Sequence, residues 1–148
     1  MTIRKYRQED LPVLKELFRG SVFGAAEYYT QEQLAAWANA DFSGWHASLS
    51  QNDARVAEIG GAAVGFADMT PQGYLDRLYV RADCFRRGVG TALCDALESA
   101  CPAAEFTVYA SEMAKAFFEG RGYRVVRGNT AVRGGVALKN YFMSKPRA

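Results

Sequence analysis

The chain has 148 residues, 49% of them hydrophobic, with 18 basic and 16 acidic side chains and a net charge of +2. That length and apolar share suit one domain, residues 1–148, whose core needs neither metal nor disulfide, and so mild a charge argues against a nucleic-acid partner. Cys84, Cys94 and Cys101 show no C-x-x-C spacing and have only His46 as an imidazole companion, which supports no disulfide framework and no zinc site; with no apolar run of about 18 residues and no leader-like start, a soluble cytoplasmic protein that does not contact the membrane is expected.

Residues 2–7 read as a strand. Asp10-Leu11-Pro12 then opens a helix that carries Leu11, Leu14, Leu17 and Phe18 on one face and is expected to end at Gly20. Thr30 and Gln33 form a capping box for a second helix with Leu34, Trp37 and Ala38 on its stripe. A short helical stretch follows around 43–49.

From Arg55 the period changes to that of strands. Residues 55–59 and 62–67 flank Gly60-Gly61 as a hairpin, and 74–80 supplies its partner strand. Val89, Leu93, Ala96, Leu97 and Ala100 recur at helical spacing and stop before Pro102. Strand 105–110, helix 112–120, strand 123–128 and strand 136–143 complete the order β-α-α-β-β-β-α-β-α-β-β, with Arg133-Gly134-Gly135 as the last turn.

The densest chemistry lies between strand 74–80 and the helix from Val89. There Arg86-Arg87-Gly88-Val89-Gly90-Thr91 joins strand to helix. Glycines let the backbone approach an anion, the first helical turn offers unpaired N–H groups, and the arginines add charge. This is a phosphate cradle, but position 93 is Leu and no Gly-Lys-Ser/Thr follows, so neither a dinucleotide fingerprint nor a Walker loop fits.

The run Phe85-Arg86-Arg87-Gly88-Val89-Gly90 resembles motif A, Gln/Arg-x-x-Gly-x-Gly/Ala, of the GCN5-related N-acetyltransferases (GNAT), with Phe85 where the family prefers Gln or Arg. About twenty residues later, Phe106 to Ala110, then Ser111, Ala114, Phe117, Phe118, Gly122 and Tyr123, is similar to the family's second signature. The likeness is close over about residues 54–127. Tyr29-Thr30-x-x-Gln33-Leu34-x-x-Trp37 and the ending Asn140 to Lys145 resemble one uncharacterised bacterial branch.

The resemblance implies an α/β (α+β) GNAT fold: a twisted, mixed, mostly antiparallel sheet of about six to seven strands, flanked by helices, with one splayed strand pair. It implies acetyl-CoA as acetyl donor. The amides of residues 86–91, with Arg86, Arg87 and Thr91, would hold its pyrophosphate; Leu78, Tyr79 and Val80 would hydrogen-bond the pantetheine arm through their backbone; Ser111, Phe117 and Phe118 would border it. The implied function is acetyl transfer to an amine of a small molecule or peptide by direct attack in a ternary complex, in a monomer or homodimer. The alternatives are a non-catalytic acyl-CoA sensor and a protein lysine or N-terminal acetyltransferase.

Direct transfer needs a base for the amine and an acid for the thiolate. Asp76, on the strand beside the cofactor, is the first candidate base, with Glu58 and His46 as rivals. Phe118 stands where many family members carry a tyrosine acid, which leaves Tyr109 as the candidate acid and Tyr141 as its rival. Substrate contacts are expected from the first two helices and their loop, through Tyr29 and Trp37, with Tyr28 and Trp45 nearby.

Overall fold

The computed structural model describes residues 1–147. Seven strands form one sheet in the order β1-β2-β3-β4-β5-β7-β6. They are β1 (Thr2–Lys5), β2 (Asp53–Ile59), β3 (Ala62–Met69), β4 (Tyr74–Val80), β5 (Glu105–Ser111), β6 (Arg124–Arg133) and β7 (Val136–Pro146), with helices α1 (Leu11–Phe23), α2 (Gln31–Ala38), α3 (Trp45–Gln51), α4 (Val89–Ala100) and α5 (Lys115–Gly120). All neighbouring strands pair antiparallel except β4 and β5. The expected element order and mixed sheet are therefore present.

Alternation along the strands feeds two cores. On one face Leu93 and Leu97 of α4 pack with Ala67, Leu75, Phe106 and Val108. On the other, Leu14, Phe18 and Val22 of α1 and Leu34 of α2 pack with Val56 and Phe66. The first helix does not end at Gly20. It continues to Phe23 because Ser21 and Val22 are buried, and a buried Val contributes about 1.5–3 kcal/mol against the roughly 1 kcal/mol cost of an interior glycine. The last two strands run longer than expected, paired from Arg124↔Ser144 to Arg133↔Val136. Helix α5 starts later than expected, at Lys115, because the Ser111 hydroxyl accepts from the Ala114 N–H at 3.1 Å and closes the preceding residues into a turn.

Two features of β4 set up the site. Its parallel pairing with β5 consists of Tyr74↔Thr107 and Leu75↔Val108 only. Beyond that point the facing edges of Asp76–Val80 and Tyr109–Ser111 diverge without a strand between them. Each strand stays anchored by its other neighbour, Val80↔Gly65 on one side and Ser111↔Asn140 on the other. The second feature is a bulge: Leu75 opposes Met69 and Arg77 opposes Asp68, which leaves Asp76 as the extra residue at the split. A bulge re-aims the side chain it inserts, and Asp76 is turned towards the α1–α2 face.

Candidate active site

The split has two mouths. On the α4 side, the turn before the helix holds Arg86 at φ 63°, the only described non-glycine residue with a positive φ, and Gly88 at φ 81° as the residue that begins α4. No side chain caps this helix, so its first N–H groups face outward. A Cβ added to Gly88 would meet nothing within 4 Å, and the space in front of the turn is open. Arg86 and Arg87 are exposed and, among the described residues, form no ion pair. Two unpaired cations at the positive end of a helix dipole are unfavourable unless an anion joins them. The cradle therefore fits a phosphate group.

Val89 contributes only its backbone here, since its side chain is 1% exposed in the core, whereas Thr91 is exposed on the first turn. Gly90 has a packing role that its motif position did not reveal: a Cβ there would lie 3.3 Å from the Phe117 ring, so the glycine lets α4 approach α5. That approach is braced by Glu98 of α4, which accepts from Lys145 Nζ at 2.6 Å, Arg121 Nη2 at 3.0 Å and the Tyr123 hydroxyl at 2.8 Å. Phe118, expected from the sequence to border the cofactor, takes a core position in the structure. It is 2% exposed, with its ring 5.2 Å from Tyr123, because it is the residue that nails α5 to the sheet. Phe117, half-buried beside Gly90, is the ring left to face the split.

On the α1–α2 side lies a cleft of about 140 Å³. It gathers the four residues proposed from sequence for catalysis and substrate, Asp76, Tyr109, Tyr29 and Trp37, and adds Tyr74, Tyr79, Arg133 and Asn140. Four parts of the chain distant in sequence meet there: α2 with its preceding loop, β4, the end of β5, and the β6–β7 hairpin. Glu58 and His46 lie elsewhere. The Glu58 carboxylate is 3.1 Å from Arg4 Nε, and His46 Nδ1 is 2.9 Å from the Tyr6 hydroxyl. Trp45 is core, stacked edge-on against Phe18 at 5.2 Å, and Tyr28 is exposed outside the cleft.

Hydroxyl inventory separates the tyrosines. Tyr29 donates to the Lys139 carbonyl at 2.7 Å and accepts from the Glu112 N–H at 2.8 Å, so its ring walls the cleft while its hydroxyl is committed. Tyr141 donates to Glu112 Oε1 at 2.8 Å and is likewise committed. Tyr109 is different: it is 39% exposed, and its oxygen accepts from Arg127 Nη2 at 3.3 Å, which leaves its proton uncommitted. Tyr74 is held protonated, its phenol pushed up to about 12 by burial and then by the Asp76 charge. Burial also raises Tyr79.

Asp76 is steadied from behind. Arg77 Nη1 reaches Asp76 Oδ2 at 3.4 Å and Asp68 Oδ2 at 2.5 Å, while Arg77 Nη2 donates to Ser48 Oγ. Asp68 has no exposed surface; it also accepts from Asn52 Nδ2 at 2.9 Å, and its Oδ1 has no partner. Burial outweighs Arg77 and Asn52 and pushes its carboxyl up to about 6. Among the described residues no group of three or more His, Cys, Asp or Glu is placed to hold a metal ion, all three cysteines are free and buried, and no helix is long and apolar enough to cross a membrane.

A sheet with one parallel pair split beside an uncapped helix, in this strand order, is the architecture of the GNAT acyltransferases. The family model of the acetyltransferase (GNAT) domain matches residues 25–145, and the chain belongs to that family. It is 34% identical to an uncharacterised N-acetyltransferase, YafP, of Escherichia coli (strain K12), over 95% of this chain and 93% of that one. It is 38% identical to a GCN5-related N-acetyltransferase from Rhodopseudomonas palustris of known crystal structure, with a TM-score of 0.94 over 98% of this chain and 94% of that one. The fold is also shared with YncA of Salmonella typhimurium, whose structure was solved with its cofactor acetyl-CoA, at 19% identity and a TM-score of 0.70 over 100% and 94% of the two chains.

Proposed function

We propose that this protein, as a single N-acetyltransferase domain spanning residues 1–148, transfers acetyl from acetyl-CoA to the amine of a small molecule or peptide in a ternary complex. The observation that carries the reading is the split itself. Pairing of β4 and β5 stops after Leu75 and Val108, and at that point a phosphate-fitting helix start opens on one side and a cleft holding Asp76 and Tyr109 on the other. The structural neighbour YncA, solved with acetyl-CoA, supports the choice of donor. Three free, buried cysteines suit a reducing cytoplasm.

Acetyl-CoA, when bound, supplies an acyl group on a thiol leaving group, so that the new N–C bond forms as the C–S bond breaks. The amides of residues 86–91 with Arg86, Arg87 and Thr91 bind the pyrophosphate. The unpaired edge of Leu78, Tyr79 and Val80 aligns the pantetheine arm, and Ser111 and Phe117 close its other side. Asp76 takes the proton of the attacking amine at a carboxylate oxygen, with Arg77 fixing its position. Tyr109 gives the proton of its hydroxyl to the departing sulfur. A residue so placed contributes about 10²- to 10⁴-fold in rate.

The test is thiol release from acetyl-CoA against a panel of amines, arylamines and peptides, beside a thermal shift with acetyl-CoA. Stabilisation of about 2.7 kcal/mol is expected at a hundredfold excess over Kd, with turnover of at least one amine. No stabilisation at millimolar acetyl-CoA sinks the reading. Stabilisation without thiol release on any amine replaces the enzyme by an acyl-CoA sensor.

A further inference from the structure

Charge along this chain is unevenly distributed. After Glu119 the sequence carries Arg121, Arg124, Arg127, Arg133, Lys139, Lys145 and Arg147 and not one Asp or Glu. This segment builds the β6–β7 hairpin, one wall of the cleft. Several of these cations are spoken for: Arg121 pairs with Asp95 and Glu98, and Lys145 with Glu98. Arg133 is not. Among the described residues no carboxylate lies within ion-pair distance of it.

Register decides which cations face the cleft. Ala131 opposes Leu138 and Arg133 opposes Val136, so Ala131 and Arg133 share a face with Leu138 and Asn140 and line the cleft. Lys139 points to the opposite face, where its ammonium sits 5.3 Å above the Tyr141 ring, and it meets the cleft through its backbone. The Arg133 charge is felt at both Tyr74 and Tyr79, where it opposes the rise in their proton affinity. The cleft thus carries a carboxylate, Asp76, and a guanidinium, Arg133, unpaired with each other, in a lining that also holds Tyr29, Trp37, Tyr74 and Tyr79. At about 140 Å³ it is well below the roughly 300–1,000 Å³ of sites for drug-sized ligands.

We propose that the acceptor is a small zwitterion, an amine that also carries an anionic oxygen group, carboxylate or phosphate, with its nitrogen at Asp76 and its oxyanion on the guanidinium of Arg133. This rests on the acetyl-transfer reading above. The planar fork of an arginine matches either oxyanion with two parallel hydrogen bonds, and an unpaired guanidinium repels the second ammonium of a diamine. Polyamines and unsubstituted alkylamines are therefore poor acceptors. Arg133 is a specificity residue, acting on the acceptor and not on the donor.

The experiment compares matched amines by thiol release: β-alanine, 2-aminoethyl phosphate, propylamine and 1,3-diaminopropane, and L-leucine, L-leucinamide and 3-methylbutylamine. In at least one set the anionic members should exceed the neutral one by about tenfold or more in kcat/KM, as expected for a charge-assisted contact, and raising the salt should narrow the gap. The carboxylate and phosphate arms tell which oxyanion is read. Arg133→Ala should bring the ratio towards one, mainly through KM; Arg133→Lys should keep part of it; Arg133→Glu should favour the diamine. Acetyl-CoA affinity, measured by calorimetry, should stay within about threefold in all three. Preference of the wild type for neutral or dicationic amines overturns the proposal. So does a tenfold loss of acetyl-CoA affinity in Arg133→Ala, which would hand the guanidinium to the donor, and so does acetyl-CoA binding with no turnover of any anionic amine. Failure of the wild type to bind acetyl-CoA fails the acetyl-transfer reading instead.

Discussion

The two mouths of the β4–β5 split are built from different materials. The side proposed for the donor is backbone: an uncapped helix start, a turn through two left-handed residues, and strand edges with no neighbour. The side proposed for the acceptor is side chain, with Tyr, Trp, Asp and Arg delivered by elements from four distant parts of the sequence. Backbone groups offer the same N–H whatever the residue, so a donor site made of them tolerates sequence change wherever glycine is kept. A site made of side chains can be re-specified by single substitutions. A chain can thus keep one donor and vary its acceptors.

The comparison is tested hardest at the chemistry. Asp76→Asn should lower kcat by about 10²- to 10⁴-fold and Tyr109→Phe by about 10²-fold, both with acetyl-CoA affinity unchanged, because contacts made only in the transition state do not alter ground-state binding. Steady-state kinetics with calorimetry check this, and an equal fall in donor affinity would mean that the two mouths are not separable. Next in size is a paired glycine substitution. Gly88 and Gly61 share φ 81° and open space, so Gly88→Val and Gly61→Val should cost similar folding stability. Only Gly88→Val should also weaken acetyl-CoA binding, by about a hundredfold or more if two charge-assisted bonds are lost. If both variants bind equally well, the turn is structural.

A third test concerns the anchor behind Asp76. The Asp68 carboxyl, pushed up to about 6 from 3.8, binds a proton more readily in the folded than in the unfolded chain. Its contribution to stability is therefore largest in acid and is lost as pH rises from about 4 to about 6. Between pH 7 and pH 4 the wild type should gain about 2 kcal/mol relative to Asp68→Asn, readable in urea titrations. A gap that widens in the opposite direction would show that Arg77 holds Asp68 ionised. The smallest effect belongs to Arg87→Ala, about tenfold in acetyl-CoA affinity, and normal binding would make that arginine a solvated helix start.

The turn that opens α4 was readable in the sequence because it is local. Residues 85–90 and 106–123 carry the signatures, and Gly88 and Pro102 bracket α4 at its observed ends. Expectation failed where burial decided between adjacent positions. Nothing in the order Phe117-Phe118 says which ring enters the core, and the structure gives that place to Phe118. Gly20 signals a helix end only until the burial of Val22 is known. In the cleft, Asp76, Tyr109, Tyr29 and Trp37 were singled out through their neighbours in sequence, and the structure brings them together. Tyr74, Tyr79 and Arg133 were missed as cleft residues because a bulge and a hairpin register bring them together. The Arg133-Gly134-Gly135 turn was visible, but not the wall it completes.

Tyr29 carries a consequence for the order of assembly. Its hydroxyl joins residues 83 and 110 positions away in the chain, whereas the donor turn joins a strand and helix that follow one another within a few residues. Contacts of long sequence separation bear a larger loop-closure entropy and slow the step that forms them. The donor turn can thus form on local contacts, whereas the cleft closes only when the β6–β7 hairpin docks on the Tyr29 loop. The cleft is therefore the later of the two mouths to form, and its geometry depends on the hairpin being in place.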